Sequence, residues 1–145
     1  MKNVTLNDLR DLLDEMNVRN MKKDDVLRVQ LSADEDFGED VGVIFEIEDA
    51  RMRAVAWAYE FTAPRADRMK ALEFCNQWNA DKAVPRAYLD SDGDFRLDLT
   101  MYTDVELEKS YIKENFIHLF MATAWQFFKE AGQAFGEDSG FFEKD

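Results

Sequence analysis

Apolar residues recur along this chain with two periods, and the places where one period gives way to the other mark out its elements. From Thr5 to Met16 they return every three or four residues, so Leu6, Leu9, Leu13 and Met16 share one side of a helix while Asp8, Arg10, Asp11, Asp14 and Glu15 take the others. Thr5 is placed to cap that helix with Asp8 at its third position, and Val4 can staple onto Leu9 across the cap. The helix ends near Asn17. A charged link, Asn20 to Asp25, leads into alternation, with Leu27, Val29 and Leu31 set against Arg28 and Gln30, which predicts a first strand over 26–31. Residues 32–40 combine turn formers and acids without a period and read as an exposed loop. Val43, Phe45 and Ile47 predict a second strand over 41–47, Glu48 to Arg51 turns the chain, and a third strand follows over 52–61. That third strand carries Val55, Trp57, Tyr59 and Phe61 on one face and Ala54, Ala56 and Ala58 on the other. Large residues on one side and small on the other predict a strand covered on both faces, with the alanines admitting a helix at close range.

Pro64 suits the first turn of a second helix, which runs to Asn79 with Ala71, Phe74, Cys75 and Trp78 on one side. Pro85 cannot continue it. Arg86 to Leu89 extend, Asp92-Gly93 offers a positive-φ turn, and Phe95, Leu97, Leu99 and Met101 return at period two, which is a hairpin. Thr103-Asp104 can cap a last helix to about Ala131, ended by Gly132. Ile112, Phe116, Leu119, Phe120 and Thr123 take one side of it, but Ile117, Met121, Ala124, Trp125 and Phe128 continue round the cylinder. A helix apolar on nearly every side is buried in a domain or against another subunit. On the second reading Ile117, Met121, Trp125 and Phe128 form a homodimer interface. The expected architecture is therefore α+β, an antiparallel sheet of about five strands with helices in the order α-β-β-β-α-β-β-α. It is organised as one domain over 1–132 and an acidic aromatic tail over 133–145.

Composition narrows the function classes. The chain has 145 residues, enough for one core without disulfides or metals, and 46% hydrophobic residues exclude wholesale disorder despite 34% charged ones. A net charge of −13 argues against nucleic acid and anionic membranes as partners, since the basic groupings Arg51/Arg53 and Arg65/Arg68/Lys70 are small and flanked by acids. The single cysteine permits no intramolecular disulfide and fits a reducing, cytoplasmic setting. No apolar run has the length of a signal peptide's core or a membrane span.

No catalytic constellation emerges. Asp90-Ser91-Asp92-Gly93-Asp94 has the look of a calcium loop, but an EF-hand needs its glycine at position six and a glutamate at twelve, and here Gly93 stands at four and Met101 at twelve. A hairpin turn explains it better. Cys75 shares an apolar helix face with Phe74 and Trp78, which points to packing, and the one histidine, His118, sits between Ile117 and Leu119 without a metal-binding partner at i+4. Glycine-rich nucleotide loops and a nucleophile elbow are lacking, and no cofactor is expected.

The element order matches the type III secretion chaperone-like fold. Within it the Leu-rich face of 5–16, the run Asn76-Gln77-Trp78-Asn79, the stretch Pro85-Arg86-Ala87-Tyr88-Leu89, the turn Asp92-Gly93-Asp94 and the long Phe-rich last helix resemble the YbjN-like family, described as bacterial sensory transduction regulators. The resemblance spans most of the chain and is most specific over 76–99. It implies an α+β fold, homodimerisation and no catalytic residues to carry over. Asn76, Trp78 and Asn79 have two readings. In one, Trp78 fills the core and the asparagines satisfy backbone groups at the helix end. In the other, they form a wall of a groove completed by Arg86 and Tyr88, where an extended peptide adds to a sheet edge. The expected function is a non-enzymatic, homodimeric, regulatory or chaperone-like domain that binds a protein segment. The competing expectation is a small-molecule sensor with its pocket between sheet and helix.

Overall fold

The computed structural model describes residues 1–35, 38–59 and 67–139. Helix α1 (Leu6–Glu15) opens on the expected capping box, with the Thr5 hydroxyl accepting from the Asp8 N–H and the Asp8 carboxylate accepting from the Thr5 N–H. The chain then forms β1 (Met21–Lys23), β2 (Val26–Leu31), β3 (Val41–Glu48), β4 (Arg51–Ala58), α2 (Arg68–Asp81), β5 (Arg86–Leu89) and β6 (Phe95–Tyr102). The strands make one antiparallel sheet in the order β1-β2-β3-β4-β6-β5.

That is one strand more than the five expected. The extra strand, β1, lies in the charged link, where Asp24 and Asp25 both take positive φ (53° and 61°) and fold Lys23 back onto Val26 in a two-residue hairpin. All three β1 residues are exposed, so they show no alternation of the kind a half-buried strand displays. Asp49 and Ala50 (φ 49° and 59°) reverse β3 into β4 in the same way, and Gly93 (φ 85°) serves the turn from β5 to β6. In that last turn the Asp90 carboxylate accepts from the N–H groups of Asp92 and Asp94, and it also pairs with Arg96 at 2.9 Å.

All the helices pack on one face of the sheet, the face of Leu27, Val43, Phe45, Met52, Leu97 and the alanines. Ala54 and Ala56 are wholly buried, which bears out the close helix approach. The expectation that both faces of this strand are covered holds only in part, since on the outer side Val55 is 8% exposed and Trp57 half-buried without any helix above them among the described residues. Tyr59, on the same side, is 51% exposed. Phe61 and Pro64 fall outside the described residues.

The last helical stretch departs from expectation at both ends. It comprises α3 (Lys109–Ile112), a π-helical segment (Lys113–His118) and α4 (Leu119–Ser139). Thr103 does not cap it, because Thr103 is buried and still bonded as a strand end, its N–H to Ala50 and its carbonyl to Asn3. Gly132 does not end it either. A helical glycine costs about 1 kcal/mol, whereas burying Phe135 (1% exposed) contributes about 1.5–3 kcal/mol. The π segment explains the apolar girth. One extra residue in a turn rotates the later positions back by about 100°, so Ile112 before it, Phe116 and Ile117 within it and Phe120, Phe127 and Phe128 beyond it all reach the same core. There Phe127 meets Phe74, Trp78, Phe95 and Phe128 with ring centroids 5.0–5.8 Å apart, and these rings fill the space between sheet and helices.

Candidate functional site

The most distinctive stretch of the sequence, Asn76 to Asn79, closes a sheet edge. Strand β5 is the outermost on its side. Its unpaired backbone groups are taken by side chains from the C-terminal turn of α2: Trp78 Nε1 donates to the Pro85 carbonyl (3.1 Å), Asn79 Nδ2 donates to the Ala87 carbonyl (3.0 Å), and Asn79 Oδ1 accepts from the Ala87 N–H (2.8 Å). The Asn79 amide thus makes the two bonds a neighbouring strand would make. Trp78 also fills the core, at 4% exposed, and Asn76 points into solvent. The opposite edge, β1, has three residues, two of them lysines, a short and charged rim that discourages strand addition.

The five proposed binding residues therefore do not converge on one groove. Ala87 faces the core, so its neighbours Arg86 and Tyr88 lie on the open outer face of the sheet, away from Trp78. There they join a network that sequence reasoning missed. Asp98, with its side chain only 5% exposed, accepts from Arg86 Nε (3.0 Å), Arg86 Nη2 (2.8 Å) and Arg53 Nη2 (3.0 Å). Arg53 also reaches Glu46 and the Tyr88 hydroxyl, both at 3.3 Å, and the Arg86 guanidinium stands 5.0 Å from the Tyr88 ring. Burial works against the charge of Arg53, but its bonds to Asp98 and Glu46 outweigh that and raise its pKa. For Arg86 the bond to Asp98 is the main cause of a raised pKa.

Strand registers put Lys23, Arg28, Arg51, Arg53, Arg86 and Arg96 on this outer face, against Glu46, Glu48 and Asp98, with Asp90 paired to Arg96 and Asp40 bonded to Gln30 at its margins. On a chain of net charge −13 the open face is locally cationic. These residues come from separate strands and meet only through register, which is why no basic run announces them. Apolar groups accompany them. Trp57 lies across Gly42, where an added Cβ would fall 2.5 Å from its ring, and packs edge-on against Tyr59.

Of the residues assigned to a dimer interface, Ile117 and Phe128 are wholly buried in the protomer's own core, and Met121 and Trp125 are half-buried against it. The apolar girth of the last helix is thus accounted for within one chain. Cys75 is buried, and that burial pushes its thiol up to about 11. His118 is exposed. No helix among the described residues is long and apolar enough to cross a membrane.

Comparison with known proteins gives a consistent picture. The model of a family described as "Putative bacterial sensory transduction regulator" matches residues 5–133. No curated protein matches. Among solved structures, one titled "Crystal structure of YbjN, a putative transcription regulator from E. coli" superposes with a TM-score of 0.64 at 12% identity, covering 94% of each chain.

Proposed function

This chain belongs to the YbjN family, and from that membership and the geometry of its sheet we propose that it is a non-enzymatic cytoplasmic regulator that acts by binding a polypeptide partner across the outer sheet face. The observation that carries this reading is the contrast between closed edges and an open face. Asn79 occupies the N–H and carbonyl of Ala87 in β5, Trp78 takes the Pro85 carbonyl just before it, and lysines flank the short β1, so strand addition is discouraged on both sides. The outer face meanwhile presents Tyr102, 66% exposed, beside an arginine network already held in place by Asp98, and Tyr59, 51% exposed, at the far end of β4 next to Arg28. Exposed aromatics and ordered arginines are the residue types that dominate protein interfaces.

Site-specific photo-crosslinking in cells tests this. A photoreactive residue at position 59 or 102, on the outer face, is expected to give one discrete adduct. The same residue at 69 or 111, on exposed helix positions, is expected to give none. Adducts from the helix positions alone would show that the partner binds elsewhere.

A further inference from the structure

We propose that the outer face reads carboxylates: Arg51, Arg86 and Thr100 receive an aspartate or glutamate side chain of the partner, whose neighbouring apolar residue rests on Val84 and Tyr102. This deepens the polypeptide-binding reading and rests on it. Two clefts on the face, of about 300 and about 360 Å³, share Arg51, Arg86, Asp98 and Thr100. One runs on towards Glu46 and Glu48, and the other towards Val84 and Tyr102, which are 44% and 66% exposed.

The guanidinium geometry favours an incoming carboxylate. Arg86 gives its Nε and Nη2 to the two oxygens of Asp98 and lies beside the Tyr88 ring, so its orientation is set before anything binds. Its Nη1–Nη2 edge remains, and that edge fits a carboxylate with two parallel bonds. Its side chain is 67% exposed. Arg51 stands exposed on the rim and makes no ion pair among the described residues.

Charge complementarity selects the occupant. Asp90 already neutralises Arg96, and Asp98 and Glu46 hold Arg53, so the attraction comes from Arg51, unpaired among the described residues, and the open edge of Arg86, on a chain whose net charge of −13 repels acidic segments elsewhere. A polynucleotide fits less well, because Glu46 and Glu48 share the cleft and an unbroken row of phosphates cannot avoid them. A polypeptide can set a carboxylate on the arginines and an amide or apolar group beside the glutamates.

The test is selection of a displayed random dodecapeptide library on the full-length protein. Affinities of the recovered peptides and of a 20-nucleotide single-stranded DNA are then measured against wild type, Arg51→Glu, Arg51→Lys and Thr100→Asp. Recovered peptides are expected to pair an acidic residue with an apolar neighbour and to lose about tenfold or more in affinity with Arg51→Glu or Thr100→Asp. Arg51→Lys should largely retain binding, and Arg51 and Thr100 are exposed, so two independent rim changes guard against a misfolded variant. Uncharged or basic peptides, acidic ones indifferent to both variants, or tighter binding of the oligonucleotide overturn the proposal. Uncharged peptides displaced by Tyr102→Glu would overturn the carboxylate chemistry alone and leave the polypeptide-binding reading standing. Failure to enrich any peptide, together with no adduct from positions 59 and 102, would sink both.

Discussion

The two faces of β4 differ in what lies over them. On the inner face Met52, Ala54, Ala56 and Ala58 are buried under helices. On the outer face Arg51, Arg53, Val55 and Trp57 stand in a sheet with no helix over it among the described residues, flanked by Tyr59 and Asp98. The small residues mark the covered face, because a helix packs closest where side chains are short and its own phenylalanines supply the volume. The large ones mark the open face. Size therefore reports the thickness of the neighbouring layer, not the degree of burial.

The largest expected effect tests the inner face. Phe127→Ala removes a wholly buried ring in contact with four others and should cost about 3–5 kcal/mol in urea denaturation. Tyr59→Ser on the outer face should stay within about 0.5 kcal/mol. Comparable losses from the two would mean that something covers the outer face as well.

The network on Asp98 comes next. Asp98→Ala leaves Arg53 and Arg86 without their shared anion, but their side chains are 38% and 67% exposed and water can take over part of the loss. The expected cost is about 2 kcal/mol, well below the 3–5 kcal/mol of a fully buried pair. The same variant should weaken any acidic peptide, since Arg86 loses its fixed orientation. Asn79→Ala is smaller in stability, about 1 kcal/mol, yet it should matter for solubility. It uncovers the Ala87 N–H and carbonyl at the edge of β5, and light scattering should detect concentration-dependent association that wild type does not show. An unchanged scattering profile would mean that the edge is closed by something besides this side chain.

Much of this architecture could be read from spacing alone. Alternation located five strands and the Thr5 capping box forms as expected, while the family was reached through the resemblance of particular residues, above all over 76–99. What escaped has physical reasons. Strand β1 is short and wholly exposed, so it has no buried side to impose a pattern. The end of the last helix was misjudged because Gly132 is a weak stop beside the burial of Phe135. The Arg53–Asp98–Arg86 cluster joins three strands through register, and residue spacing carries no signal for which strands lie side by side. Trp78 and Asn79 did stand out, and of the two readings given for them, backbone satisfaction is the one the geometry shows. The backbone they satisfy belongs to the next strand instead of their own helix.

The smallest expected effect sets an exposed carboxylate on the helical side against Asp98 on the sheet. Glu15, at the end of α1, pairs with Lys113 at 3.0 Å and Lys109 at 3.4 Å on the last helical stretch. Hydrogen bonds from Lys113 and then Lys109 lower its pKa from the usual 4.5. A carboxylate with a depressed folded-state pKa adds stability that is fully present above its unfolded value and disappears as pH falls through the folded one. The difference in stability between wild type and Glu15→Gln should therefore be small and constant above about pH 5. It should shrink as pH drops below 4.5, the value an unperturbed glutamate would show, and added salt should reduce it throughout. Denaturation curves over that range decide the matter: a difference that persists unchanged at the lowest pH the fold survives would make this contact one of packing, with no contribution from its charge.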